Sequence, residues 1–417
     1  MNSYADDPSL PGGGSVLEDI FQRVQAQIPQ QFDLIDHQSA VAEAVSRLSV
    51  TERTQIRQLF EQFLIRMREL NASDIEVGGA TSNEKVWFRI DGRKLPRNEL
   101  GTWPVAYTDI INHTLLTEKQ RERLFHRRAV DFSYTIQRPD VLWRWRASLY
   151  FDLGHLALNM RAISGEIYPY QKLGFHANIS RTFSLRHEKQ GLILLTGITG
   201  SGKSTTLDSI IDANNRSVDG HIVIIGDPIE YIHTSRLCIV RHREVGRDVT
   251  SFKDGAVQAL RQDPDIIVVG EMRDPETIMT CMEIVDTGHK VFSTLHTGSA
   301  VETIDRIVAE SPSEEQERVR NRLADVLRVI ISQKLLPGVD GRLILAKEVL
   351  LVTSPVRAAI RNKNIHEIYQ MISENNKLGM ITLEQDLIRL LHERLIEEKT
   401  AMDYANNKRR FQELLNQ

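Results

Sequence analysis

A glycine-rich segment, Gly197-Ile-Thr-Gly-Ser-Gly202-Lys203-Ser204, has the residue types and spacing of a phosphate-binding loop. Its glycines allow backbone N–H groups to turn inward around phosphate oxygens, and Lys203 can place a positive charge against the β- and γ-phosphates. An apolar run at 192–196 precedes the segment and a helix is predicted over 205–213, which is the context that the motif requires. We therefore predict that ATP is bound by Gly197, Thr199, Gly200, Ser201, Gly202, Lys203, Ser204 and Thr205, with the Ser204 hydroxyl on Mg²⁺.

Two further segments place carboxylates after apolar runs. Glu271 ends the run Ile266-Ile-Val-Val-Gly270-Glu271, and in phosphate-loop enzymes an acid at this strand end lies beside Mg²⁺ or activates water. Asp227 and Glu230 follow the run at 221–225, where the carboxyl end of a strand faces the ligand crevice of an α/β fold. For this second pair, a proline-containing turn with solvated acids is an equally good interpretation.

Two histidines flank the apolar run at 290–294. His289 precedes it, and His296 follows it within Thr294-Leu-His296-Thr297. A histidine beside threonine at a strand end can donate to a γ-phosphate oxygen or to a water molecule, although a lone histidine is more often a structural residue. Zinc is disfavoured because no cysteine or histidine partner lies at ligand spacing.

The elements that must position these residues follow from the apolar pattern. Four short apolar runs, at 192–196, 221–225, 266–269 and 290–294, alternate with helical segments and predict a buried parallel sheet. Residues 74–167 mix strand-like runs with helical segments near 103–128, which is typical of a small α+β domain. A linker is predicted at 164–169, and the chain from residue 302 onward is predicted to be mainly helical.

The amino-terminal part divides into a tail and helices. Residues 1–15 are polar and rich in Gly and Pro, and we predict a disordered tail that extends through residue 37. Apolar residues at helical spacing over 38–70 predict one or two amphipathic helices that lead into the first domain.

Composition excludes several classes of protein. The chain has 417 residues, is 41% hydrophobic and 26% charged, and carries a formal charge of −4, so it is neither disordered nor fibrous and has no overall basic character for nucleic acid. Cys238 and Cys281 cannot supply a disulfide framework or a four-cysteine zinc site. No apolar run is long enough for a transmembrane helix, and the first residues do not resemble a signal peptide, so we expect a cytoplasmic protein.

Taken in order, these motifs resemble the secretion-ATPase superfamily, specifically the PilT-like ATPases of type IV pili and their relatives in type IV secretion. The phosphate loop is followed by an acidic box (227–230), a Walker B stretch (263–274) and a histidine box (287–297). The resemblance runs from about Ala72 to the carboxyl terminus. It implies an α/β protein in which leading helices and a PAS-like α+β domain (38–165) precede a RecA-like P-loop ATPase domain with a helical carboxyl-terminal part (166–417).

The resemblance also implies roles for individual residues. Glu271 would be the general base for the attacking water, Glu230 would assist it, and Asp227 would act on Mg²⁺ through water. His289 and His296 would be linked to the γ-phosphate.

Arginines of the first domain complete this set. Arg146, in Trp143-Arg144-Trp145-Arg146, and Arg161 would reach ATP near a subunit boundary. Strand alternation places Arg144 and Arg146 on one face, and one of them can instead simply cover the domain surface.

The sequence departs from the family pattern at several points. Gly226 stands where the family often has Glu, and an arginine expected between Arg146 and Arg161 is missing. The first 50 residues exceed the usual length, and residues 355–362 match the retraction-associated segment only in part. The segments at 378–383 and 405–410 are otherwise similar to the family.

The favoured hypothesis is a hexameric ATPase ring that drives type IV pilus retraction and twitching motility through nucleotide-driven domain movement. By resemblance it would act at the cytoplasmic face of the inner membrane on a platform protein, as a peripheral partner. The lack of a four-cysteine module separates it from extension ATPases, while a type IV secretion or conjugation ATPase remains the main alternative. A nucleic-acid motor and a nucleotide-gated module without turnover are the remaining alternatives.

Overall fold

The computed structural model describes residues 14–29, 34–139, 142–163 and 165–416. The chain forms two compact units, residues 1–165 and 166–417. Within the described ranges, no helix is both long enough and apolar enough to cross a membrane.

The first unit is built on a six-stranded antiparallel sheet with the order β3-β2-β1-β6-β5-β4. Its strands are β1 (Asp74–Gly78), β2 (Trp87–Ile90), β3 (Arg93–Pro96), β4 (Ala129–Gln137), β5 (Leu142–Asp152) and β6 (His155–Ala162). Its helices are α1 (Gly14–Gln25), α2 (Leu34–Arg47), α3 (Val50–Glu69), α4 (Val105–Leu115) and α5 (Glu118–Arg127).

Local sequence explains several of these boundaries. Ser49 and Glu52 form a reciprocal capping box that begins α3. Asp91 and Gly92, with φ of 48° and 78°, form the turn between β2 and β3. Trp145 of β5 is fully buried in the core between sheet and helices.

The prediction of a disordered tail through residue 37 is wrong for the residues that the structure describes. Helix α1 occupies Gly14–Gln25 and α2 begins at Leu34. Ile20 and Phe21 lie one turn before Val24, and all three are buried in the same core as the sheet. The polar, glycine-rich composition of 1–15 hid this short amphipathic helix, and residues 1–13 lie outside the described residues.

The second unit contains a seven-stranded sheet with the order β13-β12-β7-β11-β10-β8-β9. Its strands are β7 (Gly191–Thr196), β8 (Gly220–Gly226), β9 (Cys238–Glu244), β10 (Ile266–Val269), β11 (Lys290–Leu295), β12 (Leu327–Pro337) and β13 (Leu343–Leu351). Strands β7 to β12 are parallel to their neighbours, and only the pairing of β12 with β13 is antiparallel. The four runs predicted as a buried parallel sheet therefore form its centre.

Helices cover both faces of this sheet. They are α6 (Ala177–Phe183), α7 (Lys203–Ser217), α8 (Phe252–Ala259), α9 (Pro275–Asp286), α10 (Ala300–Ala309), α11 (Gln316–Val326), α12 (Ser354–Arg361), α13 (Ile368–Glu374), α14 (Leu383–His392), α15 (Glu398–Tyr404) and α16 (Lys408–Leu415). Two separate hydrophobic clusters line the two faces. The short connections at the carboxyl ends of the parallel strands are thereby held on a rigid base.

The prediction of a mainly helical carboxyl-terminal region is wrong over residues 327–351. Strands β12 and β13 lie there, and β12 joins the main sheet beside β7. The β-branched residues Val329, Ile330 and Ile331 are fully buried, as in a strand covered on both faces. A short apolar run of this kind does not distinguish a strand from a buried helix by periodicity alone.

Candidate nucleotide site

The predicted phosphate loop connects β7 to α7. Gly197, Gly200 and Gly202 have φ of 144°, 82° and 86°, a region that favours glycine. A Cβ on Gly197 would lie 2.4 Å from both the Gln333 carbonyl oxygen and the Ser201 hydroxyl oxygen. The loop therefore needs glycine for its backbone shape and for its close approach to β12.

Lys203 begins α7 with its side chain buried against the loop. Its Nζ donates to the carbonyl oxygens of Gly197 at 2.7 Å and Ile198 at 3.0 Å. Burial lowers the pKa of Lys203, and the negative charges of Glu271 and Glu230 oppose this change. Glu271 and Glu230, which were predicted from separate motifs, thus both influence the pKa of the phosphate-loop lysine.

The remaining loop residues divide into exposed and buried groups. Thr199, Gly200, Ser204 and Thr205 are exposed, so their backbone and hydroxyl groups are open to a ligand. Ser201 is 2% exposed, and its Oγ is buried without a hydrogen-bond partner among the described residues. An orphaned hydroxyl inside a glycine loop fits an anionic ligand that supplies the missing acceptor.

Glu271 follows β10 and contacts the side chains of a histidine and an arginine. Its Oε1 lies 3.0 Å from Nε2 of His296, and its Oε2 lies 2.7 Å from Nη2 of Arg273. The carboxylate can only accept, so Nε2 of His296 carries the hydrogen of this contact. The Glu271 side chain is 15% exposed, so it is held by these partners yet still reaches solvent.

Backbone contacts hold the ends of β10 and β11 together. The Thr294 hydroxyl donates to the Gly270 carbonyl at 2.6 Å, and the Met272 N–H donates to the Thr294 carbonyl at 3.1 Å. The residues on either side of Glu271 are therefore fixed to the strand that leads into His296. Arg306 of α10 donates to the His296 carbonyl at 3.0 Å and so also holds the loop after β11.

The acidic box lies in the turn after β8. Asp227 is exposed and Glu230 is partly exposed, which makes both carboxylates accessible from solvent. Glu244, at the end of β9, accepts from the Ile229 N–H at 3.2 Å and so orients this turn. A Cβ on Gly226 would lie 2.7 Å from Ile229 Cδ1, so a larger residue there would require the Ile229 side chain to move.

His289 does not join the other residues, contrary to its predicted link to the γ-phosphate. It immediately precedes β11, and its carbonyl accepts from the Gly191 N–H at the amino end of β7. Because β11 has six residues and runs parallel to β7, His289 lies at the edge of the sheet opposite to the phosphate loop, roughly 20 Å away along the strand. Its Nδ1 instead contacts the Thr287 hydroxyl at 3.0 Å and the Ile284 carbonyl at 3.2 Å, within the connection from α9.

The two predicted arginines lie opposite each other in the first unit. Arg146 of β5 pairs in register with Arg161 of β6, and both side chains are exposed. Nε of Arg161 contacts the buried Asp74 carboxylate at 2.8 Å. Pairing along β5 is continuous through this segment, yet Arg144 is buried while Arg146, two residues on, is exposed.

The sequence interpretation missed a buried histidine that connects two of the motifs. His233 follows the acidic box and is 3% exposed, and its Nε2 lies 3.0 Å from Oδ1 of Asp208 on α7. Burial raises the pKa of Asp208, and the charge of Glu230 adds to this effect. One sequence signal could have drawn attention to this pair. Asp208 lies four residues after Ser204, which places it one helical turn further along the same face of α7.

These groups converge at the carboxyl edge of the sheet. A glycine loop with a helix behind it can bind phosphates, and a carboxylate oriented by a histidine can accept a proton from water. Together they suit the hydrolysis of a phosphoanhydride.

Comparison with known proteins shows the family of the chain. A family model described as "Type II/IV secretion system protein" matches residues 49–391. The type IV pilus retraction ATPase PilT of Pseudomonas aeruginosa is 38% identical over 318 residues, which cover 76% of this chain and 90% of that protein.

Solved structures agree as well. A crystal structure of the pilus retraction motor PilT with bound ADP has 38% identity and a TM-score of 0.74, and the match covers 84% of this chain and 98% of that chain. The ATPase DotB of Legionella pneumophila has 26% identity and a TM-score of 0.66, over 82% of this chain and 94% of that chain. This protein therefore belongs to the type II/IV secretion system protein family, and the resemblance to PilT-like ATPases inferred from its motifs is confirmed.

Proposed function

We propose that this protein hydrolyses ATP to ADP and phosphate at the carboxyl edge of its seven-stranded sheet. One observation carries the proposal: Glu271 acts electrostatically on the phosphate-loop lysine, Lys203, and is contacted by His296 at 3.0 Å. A carboxylate that is oriented by a histidine and that influences the lysine of a loop suited to phosphates supports this proposal. A solved relative that holds ADP adds support for a nucleotide ligand.

The loop residues fit a nucleotide with Mg²⁺. The backbone N–H groups from Gly197 to Thr205 and the side chain of Lys203 bind the phosphates, and Ser201 gains the partner that it lacks. The exposed Ser204 hydroxyl would hold Mg²⁺ directly and Asp227 would hold it through water. When bound, Mg²⁺ supplies positive charge against the phosphate oxygens.

Three side chains act on the attacking water. Glu271 accepts its proton as general base, Glu230 assists through its charge at the same edge, and His296 orients Glu271 and responds to the γ-phosphate. His289 has no part in this proposal because it lies at the opposite edge of the sheet.

Arginines complete the site in an assembly. Arg146 and Arg161 are exposed neighbours on the first unit, and we propose that they act on phosphate charge in the assembly. We propose that the first unit is PAS-like and the second RecA-like. The assembly is then a homo-hexamer in which hydrolysis moves one unit relative to the other.

The cellular role that we propose is type IV pilus retraction, with the motion passed to a platform protein at the cytoplasmic face of the inner membrane. The identity to a pilus retraction ATPase over 76% of the chain supports it. The two cysteines of the sequence, Cys238 and Cys281, cannot supply the four-cysteine module that extension ATPases typically carry, and this favours a retraction ATPase. A secretion ATPase is the second candidate, since the family model includes secretion proteins.

The test is steady-state ATPase activity of Glu271→Gln. The variant should bind ATP with an affinity within about two-fold of the unmodified protein, because the amide keeps the size of the side chain. Its kcat should fall by about 10²–10⁴-fold, because the proton acceptor is lost. Nucleotide affinity is measured separately by titration with a fluorescent ATP analogue.

The matched control is Glu276→Gln. Glu276 lies nearby on α9, is 70% exposed and pairs only with the surface residue Lys253 among the described contacts, so its kcat should stay unchanged. Normal turnover by Glu271→Gln would remove Glu271 from the mechanism and the proposed chemistry with it.

A further inference from the structure

The loop that follows β11 carries His296 and is held partly by its own helix. Arg306 of α10 contacts the His296 carbonyl, and Glu302 of α10 accepts from the Gly298 N–H at 2.7 Å. His296 itself directly follows β11, whose end is held to β10, and the contacts of Arg306 and Glu302 tie the rest of the loop to α10. A reference that ties Gly298 and the start of α10 to the remainder of the sheet comes from other elements.

Glu348 of β13 supplies one such reference. Its carboxyl group is 3% exposed, and Oε1 accepts from the N–H of Ala300, the first residue of α10, at 2.7 Å. The same carboxyl group accepts from the N–H of Leu383, the first residue of α14. One buried side chain of the sheet therefore caps two helices and joins the loop region to the carboxyl-terminal helices.

Asn406, between α15 and α16, supplies a second reference. Its Nδ2 donates to the Gly298 carbonyl at 3.2 Å, and its Oδ1 accepts from Nζ of Lys334 at 2.7 Å. Because an ammonium group can only donate, the contact with Lys334 sets which end of the carboxamide faces Gly298. The carboxamide is thereby oriented by β12 and directed at the loop.

The segment that carries Asn406 is itself anchored on both sides. Lys334 also donates to the Tyr404 carbonyl at 2.8 Å, and the Asn407 N–H donates to Glu384 of α14 at 2.8 Å. Glu384 is 1% exposed, so this anchor lies in the interior. The contact between Asn406 and Gly298 therefore holds the loop in a fixed position relative to this anchored segment.

We propose that Asn406 is a positioning residue for His296: it holds the Gly298 carbonyl, and with it the loop, so that the imidazole contacts Glu271. The inference rests on the proposed function, because it assigns a consequence for hydrolysis to the contact between His296 and Glu271. It also gives a role to the segment 405–410, which the nucleotide site does not otherwise use.

The effect should appear in kcat rather than in ATP affinity. Asn406 lies outside the phosphate loop, so its loss leaves phosphate binding intact, while a small displacement of a catalytic group slows the reaction. Loss of one hydrogen bond predicts a decrease in kcat of about five-fold for Asn406→Ala, with KM for ATP within about two-fold. Asn406 is exposed, so the variant should fold.

Asn406→Asp separates the two contacts of the side chain. A carboxylate keeps an acceptor for Lys334 but has no donor for the Gly298 carbonyl. The inference predicts that Asn406→Asp is as slow as Asn406→Ala. Restoration of normal kcat by Asn406→Asp would overturn it, because Asn406 would then act only through Lys334.

The control variant is Asn364→Ala, an exposed asparagine without a side-chain cap at the start of the 3₁₀ turn before α13. Hydrogen exchange of the peptide covering 296–303 in the ligand-free protein gives a readout that is independent of turnover. Exchange should accelerate in both Asn406 variants and not in Asn364→Ala, and equal exchange in all three would overturn the inference. An unmodified protein without ATPase activity would overturn the proposed function instead, while the exchange data would still test the contact.

Discussion

At the carboxyl ends of β7, β10 and β11, the Ser201 hydroxyl is buried without a hydrogen-bond partner among the residues that the structure describes, and Glu271 lies 3.0 Å from His296. At the amino ends of the same strands, Lys290 donates to the Thr182 carbonyl at 2.5 Å and His289 contacts the connection from α9. Each edge thus carries a buried lysine and a histidine. Both lysines donate to backbone carbonyls, but Lys203 does so within the phosphate loop, and His296 at the same edge contacts the Glu271 carboxylate. At the amino edge, the side chains of Lys290 and His289 contact the ends of helices and their connections.

The direction of the strands explains this difference. At the carboxyl edge, each strand enters a loop that leads to the N-terminus of a helix, where N–H groups are unpaired and attract anions. At the amino edge, helices end and present carbonyl oxygens, which are natural acceptors for lysine and histidine. The same residue type therefore serves binding at one edge and packing at the other.

The largest effect that tests this comparison is expected for Lys203→Gln. It removes the positive charge from the phosphate loop, so kcat/KM for ATP hydrolysis should fall by about 10²–10³-fold. Lys253→Gln, at an exposed site on α8, is the matched control and should retain full activity. Equal activity of the two variants would show that the carboxyl edge is not the site of hydrolysis.

A smaller effect, on stability rather than activity, is expected for Lys290→Met. Burial lowers the pKa of Lys290 to about 8, against 10.5 for an ordinary lysine. Between these values the unfolded chain binds more protons than the folded one, so the free energy of unfolding of the unmodified protein should rise with pH. Below pH 8 both states carry the charge, and the cost of burying it is constant.

The Lys290→Met variant has no ionisable side chain at this position, so its stability lacks this pH-dependent contribution. The difference in free energy of unfolding between the two proteins should therefore change by on the order of 3 kcal/mol from pH 7.5 to 10.5, in favour of the unmodified protein. Urea unfolding at several pH values measures it. A difference that does not vary with pH would mean that Lys290 is not buried as a titrating group.

The smallest effect separates the two histidines. His296→Ala should lower kcat by about ten-fold, because Glu271 loses a partner that orients it. His289→Ala should change kcat by less than about two-fold, since its contacts lie at the amino edge. Equal losses in the two variants would contradict the division of roles between the edges.

Much of the second unit was predictable from its sequence. The runs at 192–196, 221–225, 266–269 and 290–294 became β7, β8, β10 and β11, because a continuous apolar run followed by a turn is typical of a strand covered on both faces. Strands β12 and β13 were not predicted, because their apolar runs lie between helical segments and carry no distinct periodicity. Helix α1 was missed because its few apolar residues are buried only by contacts with distant elements.

The candidate site was predictable to a similar extent. The glycine loop and Glu271 were found because their chemistry depends on neighbouring residues in the chain. The partnership of His233 with Asp208 was not found, because each residue alone resembles an ordinary polar residue. Arg146 and Arg161 are placed side by side on the first unit, and their action on ATP stays a prediction.

The sequence by itself determined the phosphate loop, the order of the motifs and the strand that precedes each of them, since these depend on local residue types and spacing. Only the tertiary structure decided that His296 and not His289 meets Glu271, and that Asn406 reaches the Gly298 carbonyl. The reason is that a parallel sheet collects residues by the end of the strand on which they lie, whatever their distance along the chain. That position depends on strand direction and register, which long-range packing sets.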